Sequence, residues 1–383
     1  MRKRLFTATG SGSWTGRMTD ITGTEQQNSW FADDGMDTDV VLSTRVRLAR
    51  NLTDFPFPEY MKNDSDERVR TILFDAFARS HDAESYQTLS VKNLEQLGSM
   101  ILAERGVLAP AAVDNAATGI IVRSDGRISG TVNYHDHLHL SSYIAGFDPA
   151  AAHSAVSLVD EELQEYVRFA GSLDVGYFTS RLRDAGTGMK ISVMVHIPSI
   201  VHKNLQDSLF RTLVESGFEV FACYAVAPGG VTKTLGSWYR FCTDSCYPMS
   251  ETDQIASVVQ AVRNVINIER NARKDVLNDS PTMAKDIVYR AIAAIKYSRY
   301  VSFREGVELV SAIKWGHCLG ILSGLTDGEI YSLLYRIQTA HLIFLSRQEE
   351  LTFEDDVVTS VQKADRLRSI ILQEAVSQVQ LIA

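Results

Sequence analysis

Apolar residues recur along the chain with two different periods, and the shorter period predicts a set of strands. Runs of β-branched, aromatic and other apolar residues are typical of strands. They fall at Asp39–Leu52, Lys190–Ile197, Phe218–Val226 and Ser237–Cys242. Gly119–Val132 predicts a hairpin, because its two apolar runs flank Ser-Asp-Gly, a turn sequence whose glycine tolerates a positive φ.

The longer period is helical and predicts amphipathic helices between and after the strands. Apolar residues recur at helical spacing in 66–77, 91–108, 201–216 and 250–277. Two further helices are indicated by capping-box sequences that begin at Ser302 and Thr326. Together the two periods predict an α+β fold with a mostly antiparallel sheet flanked by helices, followed by a small all-α C-terminal domain.

The same patterns predict how the chain is divided. Residues 1–29 are rich in Gly, Ser and Thr without apolar periodicity, so we expect a disordered extension. Residues 30–278 hold all the predicted strands and form the expected α+β domain. A boundary is expected just before Pro281, since proline disfavours helix in the residue before it. Residues 281–383 show helical patterns alone and predict a helical domain.

Composition limits the possible partners and location of the protein. The chain has 383 residues with 45% hydrophobic and 22% charged residues, which is ordinary for a soluble globular protein. Its net charge of −9 argues against general binding to nucleic acid or an anionic membrane. No apolar stretch is long enough for a membrane span, and the basic start lacks a signal-peptide core. We expect a cytoplasmic protein.

The cysteines do not form a disulfide framework, because four in a chain of this length are too few. Cys242 and Cys246 make a C-x3-C pair, but no second ligand pair follows at zinc-site spacing. Free thiols are therefore expected, with a metal site as the alternative.

The main candidate for chemistry is an arginine pair in the first predicted strand. Arg45 and Arg47 are two residues apart, so in an extended chain their side chains share a face. Two guanidiniums on one face suit phosphate oxygens. The alternative is a solvated strand end whose arginines make surface ion pairs.

Four sequence blocks around this pair resemble one enzyme family. They read DVVLSTRVRLARNLTDFPFP, GTGMKISVMVHIP, ERNARK and LLYRIQTAHL, in this order between about Trp30 and Leu372. The chain is thereby similar to the bacterial protein arginine kinases, which are ATP:guanido phosphotransferases related to creatine and arginine kinases. The resemblance implies transfer of the γ-phosphoryl of Mg-ATP to a guanidinium nitrogen. Cations would hold the phosphates, and carboxylates would orient the guanidinium and accept its proton.

The resemblance assigns nucleotide binding to a set of residues that match the family pattern or keep its charge. These are Ser43, Thr44, Arg45, Arg47 and Lys190. Lys190 stands where the family has arginine, which keeps the charge but loses the bidentate geometry.

Other family positions depart from the pattern. His135 replaces the catalytic glutamate, and His139 replaces a phosphate-binding arginine. Arg181 replaces the cysteine of a substrate-side loop that also contains Asp184. A second family glutamate is absent from the loop that ends at Lys233, although the alignment there is less certain.

Two more departures concern arginines of the family. Phe221 or another non-basic residue stands where an arginine is expected. The phosphoarginine-pocket motif reads TSVQKA at 359–364 and has lost most of its charged groups. Each lost electrostatic or general-base contribution typically costs about 10² to 10⁴ in rate, although such losses are not additive. Little guanidino-kinase activity is therefore expected.

The histidines of the altered block allow other sites. His135, His137 and His139 alternate in what the pattern predicts to be a strand, so they could share a face and bind a metal beside Asp136. They could equally be the polar face of a strand beside a cleft. Arg181 and Arg183 could instead form an anion pocket.

Two hypotheses follow. In the first, the protein is a catalytically impaired homologue that binds Mg-ATP weakly through Arg45, Arg47 and Lys190 and regulates a partner in protein quality control. In the second, it is an active divergent kinase of protein arginine residues that uses Asp136 or Asp184 as its carboxylate. The family resemblance suggests a zinc-binding activator or the Clp machinery as partner, and the helical C-terminal domain makes a homo-oligomer plausible.

Overall fold

The computed structural model describes residues 30–62, 64–109, 112, 115–226, 233–246, 249–347 and 351–382. The predicted disordered extension at 1–29 lies outside these residues. An eight-stranded sheet occupies the centre of the fold. In chain order its strands are β1 (Val41–Arg50), β2 (Tyr86–Ser90), β3 (Gly119–Arg123), β4 (Ile128–Val132), β5 (Leu138–Ala145), β6 (Met189–His196), β7 (Phe218–Ala222) and β8 (Trp238–Thr243).

The strands lie in the order β2-β3-β4-β5-β1-β6-β8-β7, and each neighbouring pair is antiparallel. Strand β1 is therefore interior, between β5 and β6. Three pairs of two-residue strands form separate small ladders. They are Gly171–Ser172 with Gly176–Tyr177, Ala225–Val226 with Lys233–Thr234, and Leu322–Ser323 with Gln380–Leu381.

Helices accompany the sheet and make up most of the described chain beyond it. Up to residue 279 they are α1 (Ser65–Ala78), α2 (Gln96–Glu104), α3 (Pro149–Leu163), α4 (Pro198–His202), α5 (Gln206–Glu215) and α6 (Glu251–Asp279). Then follow α7 (Pro281–Tyr297), α8 (Phe303–Cys318), α9 (Asp327–Arg336), α10 (Thr339–Ser346) and α11 (Ser360–Ala375). The predicted α+β class, with its antiparallel sheet and C-terminal helices, is confirmed.

The two faces of the sheet differ because the strand residues alternate. On β1, Val46 and Leu48 point to a face covered by α1, α3 and α6, where they join a buried apolar cluster. A second buried cluster fills the space among α7, α8, α9 and α11 and includes Trp238 at the start of β8. The opposite face of β1 bears Arg45 and Arg47, and we call this side of the sheet the cleft face.

Three sequence predictions were wrong in detail. The segment 201–216 is not one helix, because Asn204 adopts a left-handed φ of 57° that separates α4 from α5. The helix expected over 91–108 is confined to α2. It ends shortly before Gly106, which has a φ of 72° that does not continue a helix. The strand expected over 218–226 is split into β7 and a two-residue strand.

The largest difference concerns the histidine block at 133–139, which is a strand only from Leu138 onward. Asn133 has a φ of 57°, and its N–H donates to the His137 carbonyl at 3.1 Å, which closes a tight turn. Strand β5 begins only at Leu138. The expected alternation of three histidines on one strand face is therefore wrong.

The division of the chain at 278 and 281 stays a prediction, although α6 and α7 meet there. Ser280 separates the two helices, and Pro281 occupies the first turn of α7. Among the helices of the described residues, none combines the length and apolar character needed to cross a membrane.

Candidate functional site

The arginine pair lies where the antiparallel register brings three strands together. Arg45 and Arg47 point to the cleft face of β1, as the extended pattern predicts. Arg47 lies directly opposite Lys190 of β6 and Ser141 of β5. Because paired residues of neighbouring strands share a face, Lys190 is also on the cleft face. The register thus unites three of the predicted nucleotide-binding residues.

Arg47 and Lys190 share a carboxylate. Asp184 lies 3.6 Å from Arg47 and 3.2 Å from Lys190, and only 2% of the Asp184 residue is exposed. Burial, and next the neighbouring Arg45, lower the pKa of Arg47. Nε of Arg47 is buried and has no hydrogen-bond partner among the described residues. Asp184 was predicted to serve a substrate-side loop, and here it neutralises two of the phosphate-binding candidates.

Arg45 has no such counter-ion. Its guanidinium donates to Ser141 Oγ at 2.9 Å and lies over the Tyr143 ring, 5.2 Å from the centroid. No ion pair joins it to a carboxylate of the described residues. A guanidinium whose neighbours are a hydroxyl and an aromatic ring keeps its full charge for an incoming anion.

Ser43 and Thr44 differ in their placement. Ser43 shares the cleft face with Arg45 and is 7% exposed. Thr44 points to the other face and is fully buried. Its hydroxyl donates to the Gly146 carbonyl at 2.7 Å and accepts from Asp148 N at 3.2 Å. The structure therefore does not bring the side chain of Thr44 to the site.

A further arginine was missed by the sequence reasoning. Arg240 of β8 pairs with Met194 of β6 and Phe221 of β7, so it is exposed on the same cleft face as Arg45. The titratable groups around it are thiols and phenols, namely Cys223, Cys242, Tyr143 and Tyr224. A charged residue in the middle of the predicted strand Ser237–Cys242 was the signal that could have found it.

Asp136 and His139 form a buried pair beside the arginines. His139 Nε2 lies 2.9 Å from Asp136 Oδ2. The other oxygen of Asp136 accepts from Asn51 Nδ2 and from the backbone N–H of Ser180, both at 2.7 Å. Burial raises the pKa of Asp136, but the bonds from His139, Ser180 and Asn51 outweigh it and leave that pKa well below its usual value.

The Asp136 carboxylate keeps His139 oriented without charging it. Burial, and next the charge of Arg47, lower the pKa of His139 to about 4. His139 is therefore neutral near pH 7, and it uses Nε2–H as the donor to Asp136. No hydrogen bond from the described residues reaches its Nδ1.

His135, at the family's catalytic glutamate position, is held by Arg181. The Arg181 guanidinium donates to His135 Nε2 at 2.8 Å. Burial, and next Arg181, lower the pKa of His135. A neutral imidazole fixed by a cation cannot replace a carboxylate that binds a guanidinium.

The three histidines do not converge on a metal position. His137 is fully buried and uses both ring nitrogens elsewhere, 2.9 Å from the Leu52 N–H and 2.9 Å from the Pro56 carbonyl. The rings of His135 and His139 are 6.3 Å apart. Within the described ranges no cluster of three or more His, Cys, Asp or Glu residues could hold a metal ion.

Two other predicted positions give less information. Lys233 lies in a two-residue strand, and its side chain and the preceding loop fall outside the described residues. The TSVQKA segment begins α11, where Thr359 Oγ1 accepts from Gln362 N and Gln362 Oε1 accepts from Thr359 N. Lys363 lies over the Phe353 ring at 5.4 Å. The segment thus forms a helix cap in this protein.

Comparison with known sequences connects this arrangement to one group of proteins. The family model described as "ATP:guanido phosphotransferase, C-terminal catalytic domain" matches residues 68–272. The model described as "Protein-arginine kinase McsB C-terminal domain" matches residues 281–380. A protein-arginine kinase of Pelotomaculum thermopropionicum is 27% identical over 86% of this chain and 92% of its own length. One of Caldanaerobacter subterraneus is 29% identical over 84% of this chain and 95% of its own length.

Solved structures show the same fold. The duplicated taurocyamine kinase of Schistosoma mansoni, with bound transition-state-analogue components, aligns at a TM-score of 0.55 and 17% identity. That alignment covers 71% of this chain and 42% of the duplicated protein. Lombricine kinase aligns at a TM-score of 0.52 and 16% identity, over 64% of this chain and 70% of that kinase.

Proposed function

Because the chain belongs to the ATP:guanido phosphotransferase family, as a relative of the bacterial protein-arginine kinases, we propose that it binds a nucleoside triphosphate and regulates a protein partner. In this proposal the cleft face holds the triphosphate, and transfer of phosphate to arginine side chains is largely lost. The observation that supports it best is the state of the charged groups. The two guanidiniums without a carboxylate remain open to an anion, whereas the nearby carboxylates are already paired.

Binding is supported by Arg45 and Arg240. They lie on the same face of the sheet, two strands and two residues apart, which is about 12 Å between their Cα atoms, and their long side chains bring the guanidiniums within reach of one polyphosphate chain. Planar guanidiniums bind phosphate oxygens through two parallel hydrogen bonds. Arg47 and Lys190 would contribute less strongly, since a phosphate must compete there with Asp184.

Loss of arginine phosphorylation is supported by the carboxylates. A guanidinium substrate needs an accessible carboxylate for orientation and proton transfer. Asp136 is fully buried with three donors, and Asp184 is shared by two cations. Arg181 and Lys190 also place positive charge beside the position where a substrate cation would bind.

Magnesium would enter with the nucleotide as Mg-ATP. The charge of the cleft face fits the complex, because arginine side chains and magnesium together neutralise a triphosphate. The described residues offer no ligand cluster for a resident metal, so the proposal treats the ion as part of the substrate.

The partner proposed is a protein of the quality-control machinery in the cytoplasm. A zinc-binding activator or a Clp component is the kind of partner that the family resemblance suggests. Exposed apolar side chains support a protein contact: Leu182, which follows Arg181 in the chain, is 88% exposed, and Leu173, in the turn of the short ladder at 171–177, is 106% exposed.

A second candidate function, an active divergent kinase, is favoured by one observation. Glu219 of β7 lies on the cleft face and its side chain is 33% exposed, although it pairs with Arg183 at 2.9 Å. A carboxylate at the surface could change its partner and meet a guanidinium. In this alternative Glu219, rather than the buried Asp136 or the paired Asp184, would orient the substrate.

Calorimetric titration with Mg-ATP, combined with mass-spectrometric detection of phosphoarginine, tests both candidates. We expect binding by the native protein and its loss in the double variant Arg45→Ala/Arg240→Ala. The control is Arg211→Ala/Arg290→Ala, which removes two exposed arginines on α5 and α7. Phosphoarginine that appears with the native protein and disappears in Glu219→Gln would favour the kinase. Absence of nucleotide binding at millimolar Mg-ATP would refute both.

A further inference from the structure

We infer that His139, oriented by Asp136, is a general base that activates water to hydrolyse the nucleoside triphosphate bound on the cleft face. This inference rests on the nucleotide binding proposed above and adds a reaction to it. In the step, a water oxygen bonds to the γ-phosphorus while the bond from that phosphorus to the bridging oxygen breaks. His139 Nδ1 takes the water proton, and the nucleoside diphosphate leaves with the electron pair.

The geometry of the pair is that of an oriented base. A general base needs one ring nitrogen fixed by a carboxylate and the other available as an acceptor. Asp136 receives Nε2–H of His139 at 2.9 Å, and its second oxygen is fixed by Asn51 and Ser180. The tautomer follows, because the ionised carboxylate can only accept. Nδ1 is then left with a lone pair and no bonding partner among the described residues.

The position of His139 suits the end of a bound phosphate chain. On β5, His139 is followed two residues later by Ser141, which lies opposite Arg47, and then by Tyr143, which lies opposite Arg45. Successive residues on one strand face are about 7 Å apart. A triphosphate that extends from Arg45 past Arg47 would therefore end near His139. The residue opposite His139 on β1 is Ala49, which has a short side chain without polar atoms.

Water suits this position better than a guanidinium does. Arg47 and Arg181 are close to the histidines, so a cationic nucleophile would be repelled, whereas water carries no charge. His139 is only 5% exposed, so a small nucleophile such as water can approach it more easily than a planar guanidinium can.

The negative charge of a bound nucleotide would make His139 a stronger base. The titratable and charged groups that act on His139 are Arg47 on β1 and, in the turn before β5, Asp136 and His135. Arg47 favours the neutral imidazole, and a bound phosphate offsets that charge. Nucleotide binding should therefore raise the pKa of His139, and so bring it closer to the pH at which the protein works.

Phosphate release in ¹⁸O-labelled water tests the step. We expect the native protein to produce phosphate with one labelled oxygen. His139→Gln should lower kcat at least about 100-fold while the nucleotide Kd changes less than twofold, since the base acts only in the transition state. The control His81→Gln changes a histidine whose side chain is 85% exposed, and it should keep the native rate.

Two measurements distinguish a base from a structural role. Asp136→Asn should lower kcat and change the pH profile, and His139→Gln should abolish proton uptake on binding of a non-hydrolysable analogue, measured calorimetrically in two buffers.

If the variants do not fold, ¹⁵N NMR of the native histidines decides the tautomer, and an Nδ1–H form of His139 would overturn the inference. Nucleotide binding without labelled phosphate, or native hydrolysis by a folded His139→Gln, would overturn it while leaving the proposed binding intact. Failure to bind nucleotide would overturn both.

Discussion

Arg50 and Asp160 form a buried ion pair on the side of β1 opposite the cleft face. Nε and NH2 of Arg50 lie 3.0 and 2.9 Å from the Asp160 carboxylate, and both side chains are almost inaccessible. The guanidinium also lies over the Tyr177 ring, 3.5 Å from the centroid. One strand thus uses neighbouring arginines for different purposes: Arg50 joins the sheet to α3, and Arg45 stays open to an anion.

Removing one partner of this pair should destabilise the fold strongly. Asp160→Asn leaves a buried guanidinium without a counter-ion, which typically costs about 3–5 kcal/mol. Urea unfolding should show that loss in the free energy of unfolding. Asp286→Asn, which breaks an exposed pair with Arg290, is the control and should cost less than about 0.5 kcal/mol. Equal effects of the two substitutions would refute the assignment.

Stability should fall as the pH drops from about 6.5 toward 4. The pKa of His139 is lowered in the folded state from its usual 6.5 to about 4, so the unfolded chain binds the proton first. His139 therefore contributes no penalty above pH 6.5 and an increasing one below it. At about 1.4 kcal/mol for each pH unit, the penalty reaches roughly 3 kcal/mol at pH 4.

Unfolding of native protein and of His139→Gln at several pH values measures this penalty. The variant should lose less stability between pH 6.5 and 4 than the native protein does. His137, whose pKa burial also lowers, should contribute a similar dependence in both proteins. Parallel pH curves for the two proteins would contradict the prediction.

Replacing Asp184 should tighten anion binding. In Asp184→Asn, Arg47 and Lys190 lose their shared carboxylate and can both contact a phosphate. We expect the Kd for inorganic triphosphate to fall about tenfold, equivalent to about 1.4 kcal/mol. Asp244→Asn is the matched control, since that exposed carboxylate pairs with Arg183. A weaker affinity in Asp184→Asn, with an unchanged fold, would show that Asp184 supports the site instead of competing for it.

Glu104, the last residue of α2, should stabilise the contact between α2 and the C-terminal helix α10. Its carboxylate accepts from the N–H groups of Ala340 and His341 at 2.7 and 3.1 Å, at the start of α10. Glu104→Ala should cost about 1 kcal/mol, as for other lost helix caps. Amide exchange should accelerate in α10 and not in α5. Glu308→Ala, an exposed change on α8, should leave both unchanged.

Local patterns in the sequence predict much of this fold. The strand with Arg45 and Arg47, the hairpin of β3 and β4, and the cap at Thr326 follow from alternation, turn residues and capping chemistry. The strand prediction for the histidine block at 133–139 was wrong because histidines at every second position produce the same pattern as a strand. The left-handed conformation of Asn133 starts a turn in this block, and the presence of an asparagine alone does not predict that conformation.

The site was predictable only in part, because its decisive contacts are distant in sequence. Arg47 and Lys190 could be identified by resemblance, but nothing local to either indicates that Asp184 lies between them. Likewise, the pairing that places Arg240 opposite Phe221 depends on the neighbouring edge strand. Strand order and register are set by packing of the whole sheet, so a local sequence pattern cannot supply them.

The carboxylate between Arg47 and Lys190 has a consequence for how the cleft responds to ionic strength. In the proposed binding mode, a phosphate arriving at Arg45 and Arg240 would displace mobile salt ions, so binding there would weaken as salt is added. At Arg47 and Lys190 the phosphate would instead displace the Asp184 carboxylate, which is fixed to the protein and present at any salt concentration. We therefore expect the phosphate affinity contributed by Arg45 and Arg240 to depend more strongly on ionic strength than the affinity contributed by Arg47 and Lys190.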